Sequence, residues 1–120
     1  MSAPDVFKIL SANPVLKSAF EKRIFNGSVP DGVEGLYLVW QGLGSAPENT
    51  IDCGATNEND SYQFVIWGHK AKIPQIENLR DTARKTLELA GLYYKGKHPD
   101  AQDAETKLRG RGWDMSCWTE

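Results

Sequence analysis

The stretch Ser61-Tyr62-Gln63-Phe64-Val65-Ile66-Trp67-Gly68-His69 decides the fold. Tyr62, Phe64 and Ile66 alternate with Gln63, Val65 and Trp67, the two-residue period of a β-strand. Both sets carry large apolar groups, which predicts a central strand rather than an edge. Directly after it, Lys72 to Ala90 reads as a long helix, with Pro74 suited to the first turn. At 100° per residue, Ile76, Leu79, Ala83, Leu87 and Ala90 fall within an arc of about 80°. Glu77, Asp81, Arg84, Lys85 and Glu88 take the opposite side, and Gly91 is a natural terminator. Such a helix spans about 25 Å, enough to lie across a small sheet.

Working outward toward the N-terminus, Leu36-Tyr37-Leu38-Val39-Trp40-Gln41 is rich in aromatic and branched residues between glycines, and reads as a second strand. Gly42 to Asn49 reads as a loop, Thr50 to Gly54 as a short strand, and Ala55 to Asp60 as a polar turn. NGSVPDGVEG, Asn26 to Gly35, is a loop by its glycines and proline. Arg23-Ile24-Phe25 is a short strand or strand start. Two short helices precede it. The first opens on a variant capping box, Ser2 with Asp5, with Pro4 in its first turn. The second opens on Asn13-Pro14.

Toward the C-terminus, Leu92 to Tyr94 starts a strand and Lys95 to Asp103 is a loop. Glu105 to Gly112 follows neither period, and Trp113 to Trp118 alternates as a final strand. Strands linked by turns imply antiparallel pairing. The expected fold is α+β, a two-layer sandwich. A mainly antiparallel sheet of about four to five strands packs with one long helix and a short N-terminal helix pair.

The 120 residues make one domain, 1–120. Hydrophobic residues at 40% and charged residues at 25% suit a globular chain and argue against disorder. A net charge of −2 argues against a protein built chiefly to neutralise nucleic-acid phosphates. No apolar run reaches membrane-spanning length, and the N-terminus lacks the pattern of a secretory signal. Two cysteines, Cys53 and Cys117, exclude a disulfide scaffold and a four-cysteine zinc site; reduced thiols in a cytosolic setting are expected.

Signals for chemistry are sparse. Asp52, Cys53 and His69 supply the residue types of a thiol enzyme. However, Asp52 and Cys53 are neighbours, and neighbours on a strand face opposite ways. A small hydrophobe in the sheet is the better account of Cys53. His69 and His98 lie about thirty residues apart without metal-ligand spacing. Gly42-Leu43-Gly44 is not a dinucleotide fingerprint. Arg109-Gly110-Arg111-Gly112 beside Trp113 resembles a minimal single-strand binding segment; a flexible strand entry with solvated arginines is the plainer reading. No catalytic residue, cofactor or metal is expected.

Four tryptophans, Trp40, Trp67, Trp113 and Trp118, are many for a two-layer core of this size. Alternation sets Val65 and Trp67 on the face opposite Phe64 and Ile66. Either the N-terminal helix pair covers that second face, or a partner subunit does.

The order of elements resembles a known family. A helix pair is followed by Arg23-Ile24-Phe25, then Pro30-Asp31-Gly32 and Tyr37-Leu38-Val39-Trp40. Tyr62 to Trp67 and the helix Leu79 to Leu87 come next. This pattern, over about residues 3 to 90, is similar to the small tail-completion, or tail-terminator, proteins of long-tailed bacteriophages. The segment after Gly91 and the stretch from Gly42 to Asp60 lie outside the matched motifs. The resemblance implies a structural virion protein rather than an enzyme. It implies a ring, usually of six subunits, that caps the tail tube, ends its growth and forms the head-joining surface. The implied partners are other copies, the tail tube protein and a head completion or neck protein, with no membrane and no sequence-specific nucleic-acid binding. The implied location is the virion tail or neck, and the host bacterial cytoplasm during assembly. Candidate contacts across subunits or to the tube are Arg23, Trp40, Asn57, Glu58, Asp60, Arg109, Arg111 and Trp118. The alternatives are a head-side neck connector or stopper, or a small cellular enzyme using Cys53 and His69.

Overall fold

The computed structural model describes residues 5–46 and 58–119. Helix α1, Val6–Ser11, is capped by Asp5, whose carboxylate accepts from the Lys8 N–H at 3.1 Å. The cap is therefore Asp5 itself; Ser2 lies outside the described residues. Helix α2, Pro14–Phe20, starts as its sequence predicts. Asn13 Oδ1 accepts from the Val15 and Leu16 N–H groups, and Pro14 occupies the first turn.

Strand β1, Ile24–Asn26, is followed by a loop and then β2, Tyr37–Ala46. Next come β3, Glu58–Gly68, a short 3₁₀ turn at Lys70–Lys72, and α3, Ile73–Leu89. Strands β4, Tyr93–Lys97, β5, Ala101–Gln102, and β6, Arg109–Thr119, complete the chain. Helix α3 ends as Gly91 foretold. Gly91 adopts φ +105°. Its N–H donates to the Glu88 carbonyl, and the Leu92 N–H donates to the Leu87 carbonyl. These two bonds make a Schellman motif, and Leu87 and Leu92 are both buried.

Among the described residues, the strands form one sheet in the order β1-β2-β3-β6-β4, with β5 also beside β6. β3 is central, flanked by antiparallel β2 and β6. β1 runs parallel to β2, an exception to the antiparallel expectation. The loop joining them suffices because Arg23 ties it down. Its Nε–H donates to the Leu36 carbonyl at 2.7 Å and its Nη2–H to the Ala19 carbonyl at 3.1 Å.

Three boundaries differ from the sequence reading. β2 runs through Gly42 to Ala46, where a loop was expected, because β3 pairs with it as far as Ala46↔Asn59. A bulge between Gly42 and Gly44 absorbs the irregularity. Glu58, Asn59 and Asp60 accordingly belong to β3 rather than to a turn. Much of Lys95 to Asp103 is strand, laid along β6 as β4 and β5. The short strand expected at Thr50 to Gly54 lies outside the described residues.

One core cluster joins Leu38, Trp40, Tyr62, Phe64, Ile66, Trp113 and Met115 of the sheet to the helices' Val6, Leu10, Leu16, Phe20, Ile76, Leu79, Ala83 and Leu87. All the sheet members lie on one face, so all three helices lie on that side. The N-terminal pair does not cover the second face; it packs with α3 on the first. Ala90, expected on the buried stripe, is exposed because the helix ends before it.

Candidate functional site

The face of the sheet away from the helices is built in cross-strand rows. Phe25 lies beside Val39, Val39 beside Val65, and Val65 beside Gly112. The next row sets Tyr37 beside Trp67, and Trp67 beside Gly110. Phe25, Tyr37, Val39, Val65 and Trp67 are all half-buried. The rings of Phe25 and Tyr37 meet edge to face, with centroids 6.1 Å apart. The Trp67 indole lies over Gly110: a β-carbon added there would sit 2.9 Å from the ring. Gly112 is equally constrained, since its added β-carbon would fall 2.9 Å from the Phe64 carbonyl oxygen. Gly110 thus lets the Trp67 indole lie close on the sheet, while Gly112 lets β6 approach the β3 backbone.

Polar groups occupy the other end of this face. Gln41 and Gln63 are hydrogen-bonded across β2 and β3 at 2.9 Å, and the Lys95 ammonium donates to Ser61 Oγ at 3.1 Å. His98 Nε2 lies 2.5 Å from Asp114 Oδ1, pinning the start of the β4–β5 connection to β6. The Tyr37 hydroxyl is held above the ordinary phenol range, first by burial and then by the negative charge of Asp103. A hollow of about 180 Å³ between Trp67, Val65, Pro99 and the two glycines is small for a cofactor or metabolite.

The opposite, helical side carries a larger hollow of about 670 Å³ between α2 and α3. Its lining, from Pro14 and Ser18 to Asn78 and Thr82, holds no acid, base or thiol. Among the described residues, no group of three or more His, Cys, Asp or Glu side chains is placed to hold a metal ion. His69 accepts the Ala71 N–H on Nδ1 and caps the 3₁₀ turn. Asp52 and Cys53, the other members of the thiol-enzyme reading, lie outside the described residues.

The residues singled out as contacts do not gather in one place. Arg23 serves the monomer: besides its two carbonyls it reaches Glu21 at 2.9 Å. Trp40 is 8% exposed and sits in the core between Tyr62 and Phe64, with ring centroids 5.9 and 6.4 Å away. Arg111 is not solvated in a flexible entry loop. It lies within β6, 8% exposed, between Glu77 of α3 at 3.4 Å and Asp100 at 3.3 Å. Arg109, also in β6, bonds to Gln102 of β5. Glu58 and Asp60 begin β3, and Trp118 lies in the last turn of pairing on β6, opposite Asn59. Asn57 lies outside the described residues.

Trp113 is fully buried against Phe64, with centroids 5.2 Å apart. Phe25, Tyr37 and Val39, the apolar end of the face away from the helices, were not singled out from sequence. Alternation sets Tyr37 and Val39 apart from Leu38 and Trp40, but only the pairing joins them and Phe25 to Val65 and Trp67. Comparison with protein-family models and with curated proteins gave no match.

Proposed function

We propose that this chain is a non-enzymatic virion protein of a long-tailed bacteriophage. In this reading it is a tail terminator that assembles as a ring, of about six copies, on the end of the tail tube. One observation carries the reading. All three helices pack on one side of the sheet, and the other side carries Phe25, Tyr37, Val39, Val65 and Trp67, each only partly buried. Aromatic residues at a protein surface favour interfaces, because they bury much apolar area for little side-chain entropy. The element order supports the family likeness set out from the sequence.

The test joins two measurements. Co-expression with the tube protein of the same phage should give tubes capped at one end and arrested in length, seen by electron microscopy. Pull-down should recover the tube protein. Recovery of portal or adaptor protein instead would move the chain to the head side of the neck, as a connector or stopper. Tubes that grow unchanged in the presence of the chain would contradict the proposal.

A further inference from the structure

Helix α3 turns one flank toward the last strands of the sheet. Glu77, Arg80 and Arg84 are spaced i, i+3 and i+7, so they share that flank. Glu77 reaches Arg111 of β6 at 3.4 Å, and the Arg84 guanidinium carbon lies 4.7 Å from the centroid of the Tyr94 ring of β4. Arg80 lies between them along the helix, where the flank passes from β6 to β4. Lys97 of β4 pairs with Trp113 of β6 on the same boundary.

The carboxylates near this flank are unevenly shared. Glu77 and Asp100 both serve Arg111, at 3.4 and 3.3 Å. Glu88 stands 3.8 Å from Arg84 Nε, an ion pair without a hydrogen bond. None serves Arg80. Among the described residues it makes neither an ion pair nor a hydrogen bond, although it is only 8% exposed. A buried guanidinium without a counter-charge is costly, and such groups in proteins are paired. Like charges at i, i+4, as Arg80 and Arg84 are, also repel. Both costs fall when an anion sits between the two. Arg80 Nε is enclosed, so the Nη groups at the end of the fork are the part open to a ligand.

We propose that Arg80 and Arg84 form a binding site for a phosphate group, with Lys97 at its rim. The class of ligand follows from charge and shape. Arg80, Arg84 and Lys97 face only the Glu88 carboxylate, a surplus of positive charge that a phosphate dianion matches and a single carboxylate does not. Guanidinium forks take phosphate oxygens in pairs, so two forks one turn apart suit a tetrahedral oxyanion better than a planar one. Free phosphate and a phosphate monoester present the same group. Nothing in this site depends on the ring, so the two proposals fail separately.

NMR of the arginine Nε–H groups reads the site on the full chain. Inorganic phosphate is titrated at constant ionic strength, with sodium chloride as the reference salt and acetate as the singly charged comparison. The Arg80 and Arg84 resonances should move together and saturate, while that of Arg109, bonded to Gln102 away from this flank, should not. Phosphate should bind at lower concentration than acetate. Phenyl phosphate, run in parallel, separates the sources. Tighter binding than inorganic phosphate assigns the site to a phosphorylated ligand, and equal binding assigns it to the free ion. Thermal melts give a second reading. Phosphate should raise the melting temperature of the wild type and leave that of Arg80→Met unmoved. In chloride, Arg80→Met should melt no lower than the wild type, because it removes an unpaired buried charge; a merely structural arginine would make it melt lower. Arg84→Met should bind phosphate about tenfold more weakly, and carries the test if Arg80→Met does not fold. Resonances that move alike for all arginines, shifts that chloride reproduces, acetate binding as tight as phosphate, or a phosphate gain kept by Arg80→Met would overturn the site.

Discussion

Arg23 shows how one side chain can substitute for a crossover. Parallel neighbours usually need a long connection with a helix in it, yet β1 and β2 are joined by a loop. The Arg23 fork ties the Leu36 carbonyl, at the β2 end of that connection, to the Ala19 carbonyl of α2, which precedes β1. Replacing Arg23 with Ala leaves both carbonyls short of a donor, and should cost about 1–3 kcal/mol. Chemical denaturation checks this, and Arg23→Lys should recover only part, since an ammonium lacks the planar fork. Arg23 and Arg111 illustrate what a sequence does not display. Both were read as surface charge free to meet a partner, and both instead bind acceptors within the same chain. Arg111 reaches Glu77, thirty-four positions away. Tyr37 offers a pH signature at the same scale. Its folded pKa is raised, so the folded state holds the phenol proton more tightly than the unfolded state. Stability should therefore fall as pH climbs past about 10, the ordinary phenol value, toward the folded pKa. Ultraviolet titration should show a late phenolate component that Tyr37→Phe removes and that Asp103→Asn brings to lower pH.

At the level of elements, the helices were legible and the strand lengths were not. Helix α3 follows from its buried Ile76, Leu79, Ala83 and Leu87 and from Gly91; α2 follows from Asn13-Pro14. These signals are local, a period of 3.6 and a cap. The extension of β2 through Gly42 and Gly44 has no local signal, since glycine reads as a breaker; the ladder to β3 supplies the order. The segment Arg109 to Gly112 was ambiguous for a related reason. Gly110 lies under Trp67, Gly112 against the Phe64 carbonyl, and the charged Arg111 is buried, the inverse of a usual strand pattern. Glycine substitutions separate these cases. Gly112→Ala brings a β-carbon to 2.9 Å from the Phe64 carbonyl oxygen, a backbone atom that cannot yield cheaply. It should destabilise by about 1–3 kcal/mol. Gly42→Ala meets only the Tyr62 ring, at 3.8 Å, and should stay within about 0.5 kcal/mol of wild type. Paired thermal melts check the contrast.

For the whole molecule, a sheet with helices on one side has a second side to account for. The alternation of Tyr62 to Trp67 already placed apolar groups on both faces, so the face away from the helices was half legible. That Phe25, Tyr37 and Val39 extend it was not, because only pairing sets them in rows with Val65 and Trp67. Two indoles are internal, Trp40 and Trp113, while Trp67 is only partly buried. Covering the apolar rows should lower the free energy of an assembly at roughly 25 cal/mol per Å² buried, before the costs of association. The most direct measurement is the mass in solution by light scattering, on wild type and on Val65→Glu, as concentration rises and with tail tubes present. The account predicts that the wild type leaves its 13.4 kDa monomer mass for a single closed multiple of it, and that the folded Val65→Glu variant does not. A wild type that stays at monomer mass under both conditions, or a variant that assembles as well as wild type, would contradict it.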